Sequence, residues 1–171
     1  GPNHTPEFLM LEWYEVGKNY QDLMLSTQSF IKKFLKIEFI TLNLPPNLPD
    51  NEPDFNQYFL NEIEPNLPKN KTVFITGYPA FLSPLAKENE RFELYINGLE
   101  IANGCTKNTD AESILKSFNF EKDYRIKNNL PLHPIDLSFA TNSAKLNLVS
   151  GIGLGINRLL KIINQNNAFK S

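Results

Sequence analysis

Cysteine, long hydrophobic runs and an excess of charge of either sign are all scarce in this sequence. Its single cysteine, Cys105, excludes an internal disulfide and a cluster of thiolate metal ligands, so a reducing cytoplasm fits the composition. No apolar run approaches the roughly 18 residues that a membrane-spanning helix needs, and no signal pattern opens the chain, so we expect a soluble, cytoplasmic protein with no membrane partner. The net charge of −2 provides no basic field of the kind that nucleic-acid binders use.

The composition is otherwise that of a globular domain, with 41% hydrophobic and 21% charged residues in a chain of 171. Such a chain can bury one sizeable core, so we expect one domain over residues 1–171. Periodicity predicts an amphipathic helix over 20–37, a short helix over 55–63, a buried strand over 72–76 and a helix over 110–129. The last helix is predicted to turn Ala111, Ile114, Leu115, Phe118 and Tyr124 inward.

Residues 92–104 predict a β-hairpin. Asn97-Gly98 separates two alternating runs, and Asn-Gly is the strongest short-range signal for a type I′ turn because both central residues need positive φ. With a two-residue turn, Glu93, Tyr95 and Glu100 share one face, and Glu93 lies opposite Ala102. The other, core-facing side carries Phe92, Leu94, Ile96, Leu99 and Ile101.

Glu93 and Glu100 are diagonal neighbours in this hairpin, about 6–8 Å apart at Cβ. Two carboxylates at that separation repel each other unless a cation lies between them or one takes a proton. One interpretation is a Mg²⁺ site, since this ion takes oxygen ligands from one or two carboxylates plus substrate phosphates. The alternative is that the face is solvated and Tyr95 merely covers it, as in ordinary antiparallel sheets.

Residues 7–16 predict a first strand, because they are apolar and aromatic without Gly or Pro. A period of two places Phe8, Met10, Glu12, Tyr14 and Val16 on one face. Glu12 then lies in an otherwise buried-looking face, where an unpaired carboxylate is costly, so we expect it to have a partner. The alternative is a helix with Glu12 on its surface.

Gly151, Gly153 and Gly155 alternate with Ile152, Leu154 and Ile156, so a strand here has one apolar face and one face without side chains. Something flat or close must lie on the bare face. Arg158 follows at the entry to a helix, where its planar guanidinium suits stacking on a base or pairing with a phosphate. The alternative is a helix packed closely against the glycine strand.

Three segments of the chain resemble, in order, the second half of motif 2, the following acidic hairpin and motif 3 of class II lysyl-tRNA synthetases and their paralogue, the elongation factor P lysine ligase. They are residues 4–14, 92–104 and 151–158. The resemblance implies an α+β fold, with a mainly antiparallel sheet flanked by helices. It also implies that residues 1–171 form part of the catalytic domain, and that ATP drives activation of lysine or β-lysine to an acyl-adenylate.

The resemblance also implies roles for residues at matching positions. Glu93 and Glu100 would hold ATP through Mg²⁺, His4 and Phe8 would contact the nucleotide, and Arg158 would meet the adenine and the terminal phosphate. Glu12, Tyr14, Asn103 and Gly153 would line the amino-acid pocket. In the simple hairpin register Asn103 falls on the wrong face, unless Gly104 marks a β-bulge.

The two branches of this superfamily differ in acceptor. Residues 11–14 and 130–136 resemble the ligase branch, which acts on elongation factor P, whereas Gly153 resembles the synthetase branch, which acts on lysine tRNA. Family members dimerise, but their usual interface segment and the motif 2 arginine are expected to be absent from these residues. Lys107 stands where an acidic residue usually receives the substrate ammonium, so we expect it to repel lysine. Asn157 replaces the usual aspartate and Cys105 the usual aromatic. Lys107 and the missing arginine favour a further alternative, a non-catalytic remnant or nucleotide-binding module that keeps the fold.

Overall fold

A six-stranded sheet forms the centre of the structure, a computed structural model that describes residues 7–168. Its strands are β1 (Met10–Val16), β2 (Phe39–Asn43), β3 (Thr72–Thr76), β4 (Ala86–Ile96), β5 (Leu99–Lys107) and β6 (Val149–Gly155). Their order across the sheet is β1-β6-β5-β4-β3-β2. Only the β2–β3 pair is parallel, so the expected mainly antiparallel α+β fold is confirmed.

Five α-helices accompany the sheet within the described residues. They are α1 (Tyr20–Ile31), α2 (Glu52–Tyr58), α3 (Ala111–Lys127), α4 (Leu137–Ser143) and α5 (Ile156–Ala168). Four begin at a residue whose side chain accepts backbone N–H bonds, namely Asn19, Asn51, Asp110 and Asp136. Such caps satisfy the free donors of a first helical turn and fix where each helix starts. In this part of the chain, no helix combines the length and apolarity required to cross a membrane.

Both faces of the sheet are covered by apolar side chains, and each face has its own cluster. On one face, Phe92, Leu94 and Ile152 of the strands pack with residues of α1 and α5. On the other, Val73, Ile75 and Tyr95 pack with residues of α2 and of the helical segment Phe59–Ile63 that continues it. The second cluster contradicts the alternative of a solvated hairpin face, because Tyr95 is 5% exposed and Glu93 9% exposed.

The hairpin forms at the predicted turn, and Asn97 and Gly98 have φ values of 54° and 75°. Its predicted register is wrong beyond Tyr95 and Glu100. Glu93 pairs with Asn103 rather than with Ala102, because Ile101 is an extra residue bulged out of the ladder. A bulge was the condition for Asn103 to join the face of Glu93, although it lies at Ile101 and not at Gly104.

The first strand is confirmed over Met10–Val16, and the helical alternative is wrong. The expectation that Glu12 lies in a buried face is also wrong. Its neighbours on that face, Met10 and Tyr14, are 44% and 61% exposed. The buried side of β1 is instead the one with Leu11 and Trp13, which pack against the core cluster of α1 and α5. Because apolar residues lie on both faces of this edge strand, the sequence pattern does not show which face turns inward.

Most remaining predictions are confirmed, with two corrections. The helix predicted over 20–37 ends at Ile31, where the chain turns and returns Leu35 to the core at 4% exposure. Tyr124 of α3 is 51% exposed rather than inward, because α3 packs mainly through its first half and buries Ile114 fully. The periodicity of a helix shows which of its faces is apolar. It does not show where along the helix the rest of the protein stops covering that face.

Two glycine substitutions test how tightly β5 and β6 are packed. A Cβ on Gly104 would lie 2.6 and 2.8 Å from two ring atoms of Phe92, which is fully buried, whereas a Cβ on Gly153 would meet only the Met10 methyl at 3.0 Å. We expect Gly104→Ala to lower the free energy of unfolding by about 1–3 kcal/mol, and the matched control Gly153→Ala by less than about 1 kcal/mol. Urea denaturation measures both, and equal losses would contradict this packing.

Candidate functional site

Four of the residues singled out in the sequence lie in one straight row across the sheet. Gly153 of β6 pairs with Glu12 of β1 on one side and with Asn103 of β5 on the other, and Asn103 pairs with Glu93 of β4. Directly paired residues point to the same side of a sheet. The row therefore presents two carboxylates and one amide around a glycine that contributes no side chain.

The glycine shelf, defined as the bare face of Gly151, Gly153 and Gly155, is covered by side chains from three elements. The Tyr14 ring lies across Gly151, the Met10 methyl lies near Gly153, and the Arg158 side chain lies beside Gly155. Because α1 and α5 pack on the opposite face, the alternative of a helix packed against the glycines is wrong. The expectation of a flat or close neighbour holds for the Tyr14 ring.

A cleft of about 420 Å³ opens over one end of this shelf. It is lined by Phe8, Leu9, Met10, Leu99, Glu100, Ile101, Ala102, Asn103, Gly153, Gly155, Asn157, Arg158 and Lys161. The structure thus brings together five sequence-predicted site residues: Phe8, Glu100, Asn103, Gly153 and Arg158. The volume and the mainly apolar lining with a few polar groups are typical of small-molecule sites.

Phe8 and Arg158 stand at the edge of this cleft, on chain segments that are tied to each other. The Leu9 N–H donates to Asn157 Oδ1 at 2.6 Å, and the Ile156 N–H donates to the Leu9 carbonyl at 2.9 Å. These bonds fix the residues before β1 against the first turn of α5. The Phe8 ring stays 63% exposed, so one aromatic face is available to a ligand. His4 lies outside the described residues.

Arg158 is held in place by the hairpin. Its Nη1 donates to the Glu100 carbonyl at 2.7 Å and to the Glu100 carboxylate at 3.3 Å. The side chain remains about one-third exposed, at 34%. The two bonds from Nη1 therefore fix the orientation of the guanidinium. Its remaining N–H donors are available to an anion, and its plane is available to stack on a planar ring.

Glu93 is buried among three donors. Tyr78 and Tyr95 donate their hydroxyls to Oε2 at 2.7 and 3.0 Å, and Arg91 donates to Oε1 at 2.5 Å. Burial, followed by the negative charge of Glu93, raises the pKa of both tyrosines, so they remain donors at neutral pH. A second cavity of about 560 Å³ adjoins this cluster and shares Leu99, Glu100 and Arg158 with the first cleft.

Glu100 is a carboxylate whose negative charge Arg158 balances only in part. Burial, and then the charge of Glu93, raise the pKa of its carboxyl, while Arg158 and Asn103 oppose that shift only in part. A cation near both carboxylates would relieve the repulsion. Among residues 7–168 no group of three or more His, Cys, Asp or Glu could hold a metal. The donor set fits a Mg²⁺ ion that takes its other oxygens from a ligand such as a polyphosphate.

The part of the shelf away from the cleft differs in its side chains. Glu12 and Tyr14 do not line the cleft, but they flank Gly153 and Gly151 on the same sheet face. Lys107 reaches back from the end of β5, and its Nζ lies 5.6 Å from the centre of the Tyr14 ring. The candidate site therefore continues along β6 from Gly153 to Gly151, in the direction away from Gly155.

Arg91 and Tyr78 are the site residues that sequence reasoning missed. Arg91 precedes Glu93 by two positions in β4, so strand periodicity alone places the two side chains on one face. That signal was present in the sequence. Tyr78 had none, because it follows the turn after β3 and reaches Glu93 only through the antiparallel pairing of β3 with β4.

Residues 2–170 of this chain match the family model of class II tRNA synthetases of the D, K and N group. Curated relatives include the elongation factor P–(R)-β-lysine ligase of Yersinia enterocolitica, which is 29% identical over 204 residues. That match covers 95% of this chain and 62% of the relative. The protein of the same name from Yersinia pestis is 30% identical over 203 residues, with the same coverage of both chains.

The chain therefore spans about 62% of the length of the curated relatives it matches. The match to the family model extends over nearly every residue and includes all six strands of the sheet. The resemblance found in the three sequence segments is confirmed at this level. This chain belongs to the class II tRNA synthetase family of the D, K and N group.

Proposed function

We propose that the cleft binds ATP with Mg²⁺ and that the glycine shelf holds an amino acid, whose carboxylate is activated as an acyl-adenylate for transfer to a lysine of elongation factor P. The relatives are named for (R)-β-lysine and for elongation factor P. For this chain we propose the same activation chemistry and the same acceptor protein. We do not extend the proposal to the cationic side chain of the relatives' amino acid, because the Lys107 ammonium would repel it.

The observation that carries this proposal is the row of Glu12, Gly153, Asn103 and Glu93, which ends beside Glu100 and Arg158. Adjacent strands lie about 4.8 Å apart, so this row spans about 14 Å between Glu12 and Glu93. That length separates Glu12, which borders the amino-acid shelf, from the carboxylates proposed for the phosphate-bound cation. The polarity also fits, because acidic groups suit an ammonium and a phosphate-bound cation, and Arg158 suits a phosphate or a base.

In adenylate formation, a carboxylate oxygen of the amino acid attacks the α-phosphorus of ATP, the bond from that phosphorus to the bridging oxygen breaks, and pyrophosphate leaves. Residues of this chain orient the partners: Phe8 and Arg158 border the nucleotide cleft, and Glu12 and Asn103 flank the shelf. Glu100 and Glu93 would hold Mg²⁺, which supplies charge neutralisation of the phosphates. The fixed donors around Glu93 keep its carboxylate oriented before ligand arrives.

The first test is Mg-ATP binding by calorimetry, with wild type, Arg158→Ala and the control Arg125→Ala. Arg125 is similarly half-buried but pairs with Glu121 on α3, away from the cleft. We expect Arg158→Ala to weaken binding about 10- to 100-fold, because a charge-assisted hydrogen bond contributes about 1.5–3 kcal/mol. Arg125→Ala should bind as wild type does.

Thermal melting of both variants separates lost binding from lost folding, since Arg158 also donates to the Glu100 carbonyl. Wild type that binds no Mg-ATP would overturn the nucleotide site. Binding without any amino-acid-dependent exchange of pyrophosphate would instead support the non-catalytic nucleotide-binding module. Aminoacylation of lysine tRNA, rather than modification of elongation factor P, would move the chain to the synthetase branch.

The pH dependence of Mg-ATP affinity tests Glu100. Its pKa is raised above the ordinary value of 4.5, and the protonated carboxyl cannot ligate a cation, so affinity should rise as pH increases through that raised pKa. Glu100→Gln should weaken Mg-ATP binding at pH 7 and flatten the rise that the wild type shows above pH 4.5. The exposed control Glu112→Gln should keep the wild-type profile. A profile unchanged in Glu100→Gln would remove Glu100 from the metal site.

A further inference from the structure

Charges alternate along the glycine shelf. Arg158 lies beside Gly155 at one end, and Glu12 flanks Gly153 in the middle. Lys107 reaches over Gly151 at the other end. An occupant that matches this order presents an anion, then a cation, then a second anion. This complementarity concerns the shelf itself, and the inference rests on the proposed function of the shelf as the amino-acid site.

Lys107 is held over the shelf rather than extended into solvent. Its Cε lies 2.9 Å from the position that a Cβ on Gly151 would take, and its Nζ lies over the Tyr14 ring at 5.6 Å from the centroid. Within residues 7–168, no carboxylate pairs with this ammonium. A cation–π contact leaves most of the positive charge uncompensated, so the ammonium is available to an anionic group of a ligand.

Glu12 is the complementary group in the middle of the shelf. It is exposed, and no side chain of the described residues forms an ion pair or hydrogen bond with its carboxylate. Asn103 lies across Gly153 from it and adds a polar amide. A carboxylate and an amide on two sides of a bare backbone suit an α-ammonium group.

The spacing between these groups limits the length of the occupant. The Gly153 and Gly151 rows are two residues apart, which is about 7 Å along a strand. An ammonium at Glu12 and an anion at Lys107 are then separated by about the length of a short dicarboxylic amino acid. A lysine or β-lysine side chain would instead place its own ammonium beside Lys107, where the like charges repel.

We propose that the amino acid held on this shelf carries an anionic side chain, with glutamate as its simplest example, and that Lys107 selects it. The α-carboxylate then points toward Arg158 and the nucleotide cleft, and the side-chain carboxylate meets Lys107. The specificity differs from that in the names of the relatives, although the activation chemistry is the same.

Calorimetry tests this selection with glutamate, glutamine, lysine and β-lysine, each titrated with and without a saturating non-hydrolysable Mg-ATP analogue. Wild type should bind glutamate at least about tenfold more tightly than the other three. Lys107→Glu should reverse the preference toward lysine and β-lysine. Lys107→Met, which keeps the length without the charge, should lose glutamate binding and gain no lysine binding. Lys33→Glu makes the same charge change after α1, which packs on the opposite sheet face, and should behave as wild type.

The outcomes separate this inference from the nucleotide proposal. Glutamate selectivity without nucleotide binding would overturn the proposed function and leave the inference standing. Nucleotide binding with equal or tighter binding of lysine or β-lysine by wild type would overturn the inference alone. Glutamate binding unchanged in Lys107→Met also overturns it, and this variant decides the matter if Lys107→Glu fails to fold by thermal melting. Wild type that binds neither nucleotide nor any of the four amino acids overturns both.

Discussion

A single extra residue in β5 sets the geometry of the site. In a strand, a shift of one residue turns every following side chain to the opposite face. The bulge at Ile101 makes that shift between Glu100 and Ala102, so Asn103 joins Glu93 and Gly153 in one row. Glu100 remains on the side of Tyr95, and Ile101 and Ala102 both enter the core. Without the bulge, Asn103 would face the helices and the shelf would lose its central amide.

The bare face of β6 complements this bulge. Because its glycines carry no side chains, the Tyr14 ring and the Lys107 methylenes can lie directly over the backbone at Gly151. The opposite face of the same strand packs Ile152 and Leu154 into the core, so the strand is firmly held beneath the side chains that lie on its glycine face. A rigid floor can orient a small molecule without itself rearranging.

The charged groups at the two ends of the row differ in how firmly neighbouring residues hold them and balance their charge. Glu93 is enclosed by an arginine and two tyrosines, so its orientation is fixed in the free protein. Glu100 is only partly balanced by Arg158, and its raised pKa reflects burial and the nearby charge of Glu93. Glu12, at the other end of the row, and Lys107, over Gly151, have no charged partner among the described residues. The candidate site thus combines one carboxylate with fixed donors, one carboxylate that is partly balanced, and two charged groups without a charged partner among residues 7–168.

The sequence alone determined most elements of this protein and indicated most residues of the candidate site. Asn97-Gly98 fixed the hairpin turn, the alternating glycines fixed the bare strand, and three motif segments indicated the family, because each of these signals is local. The tertiary structure decided what local patterns do not encode: the bulge at Ile101, the exposed side of β1 and the burial of Glu93. These features depend on which strands pair and what covers each face, and such contacts join residues distant in the chain.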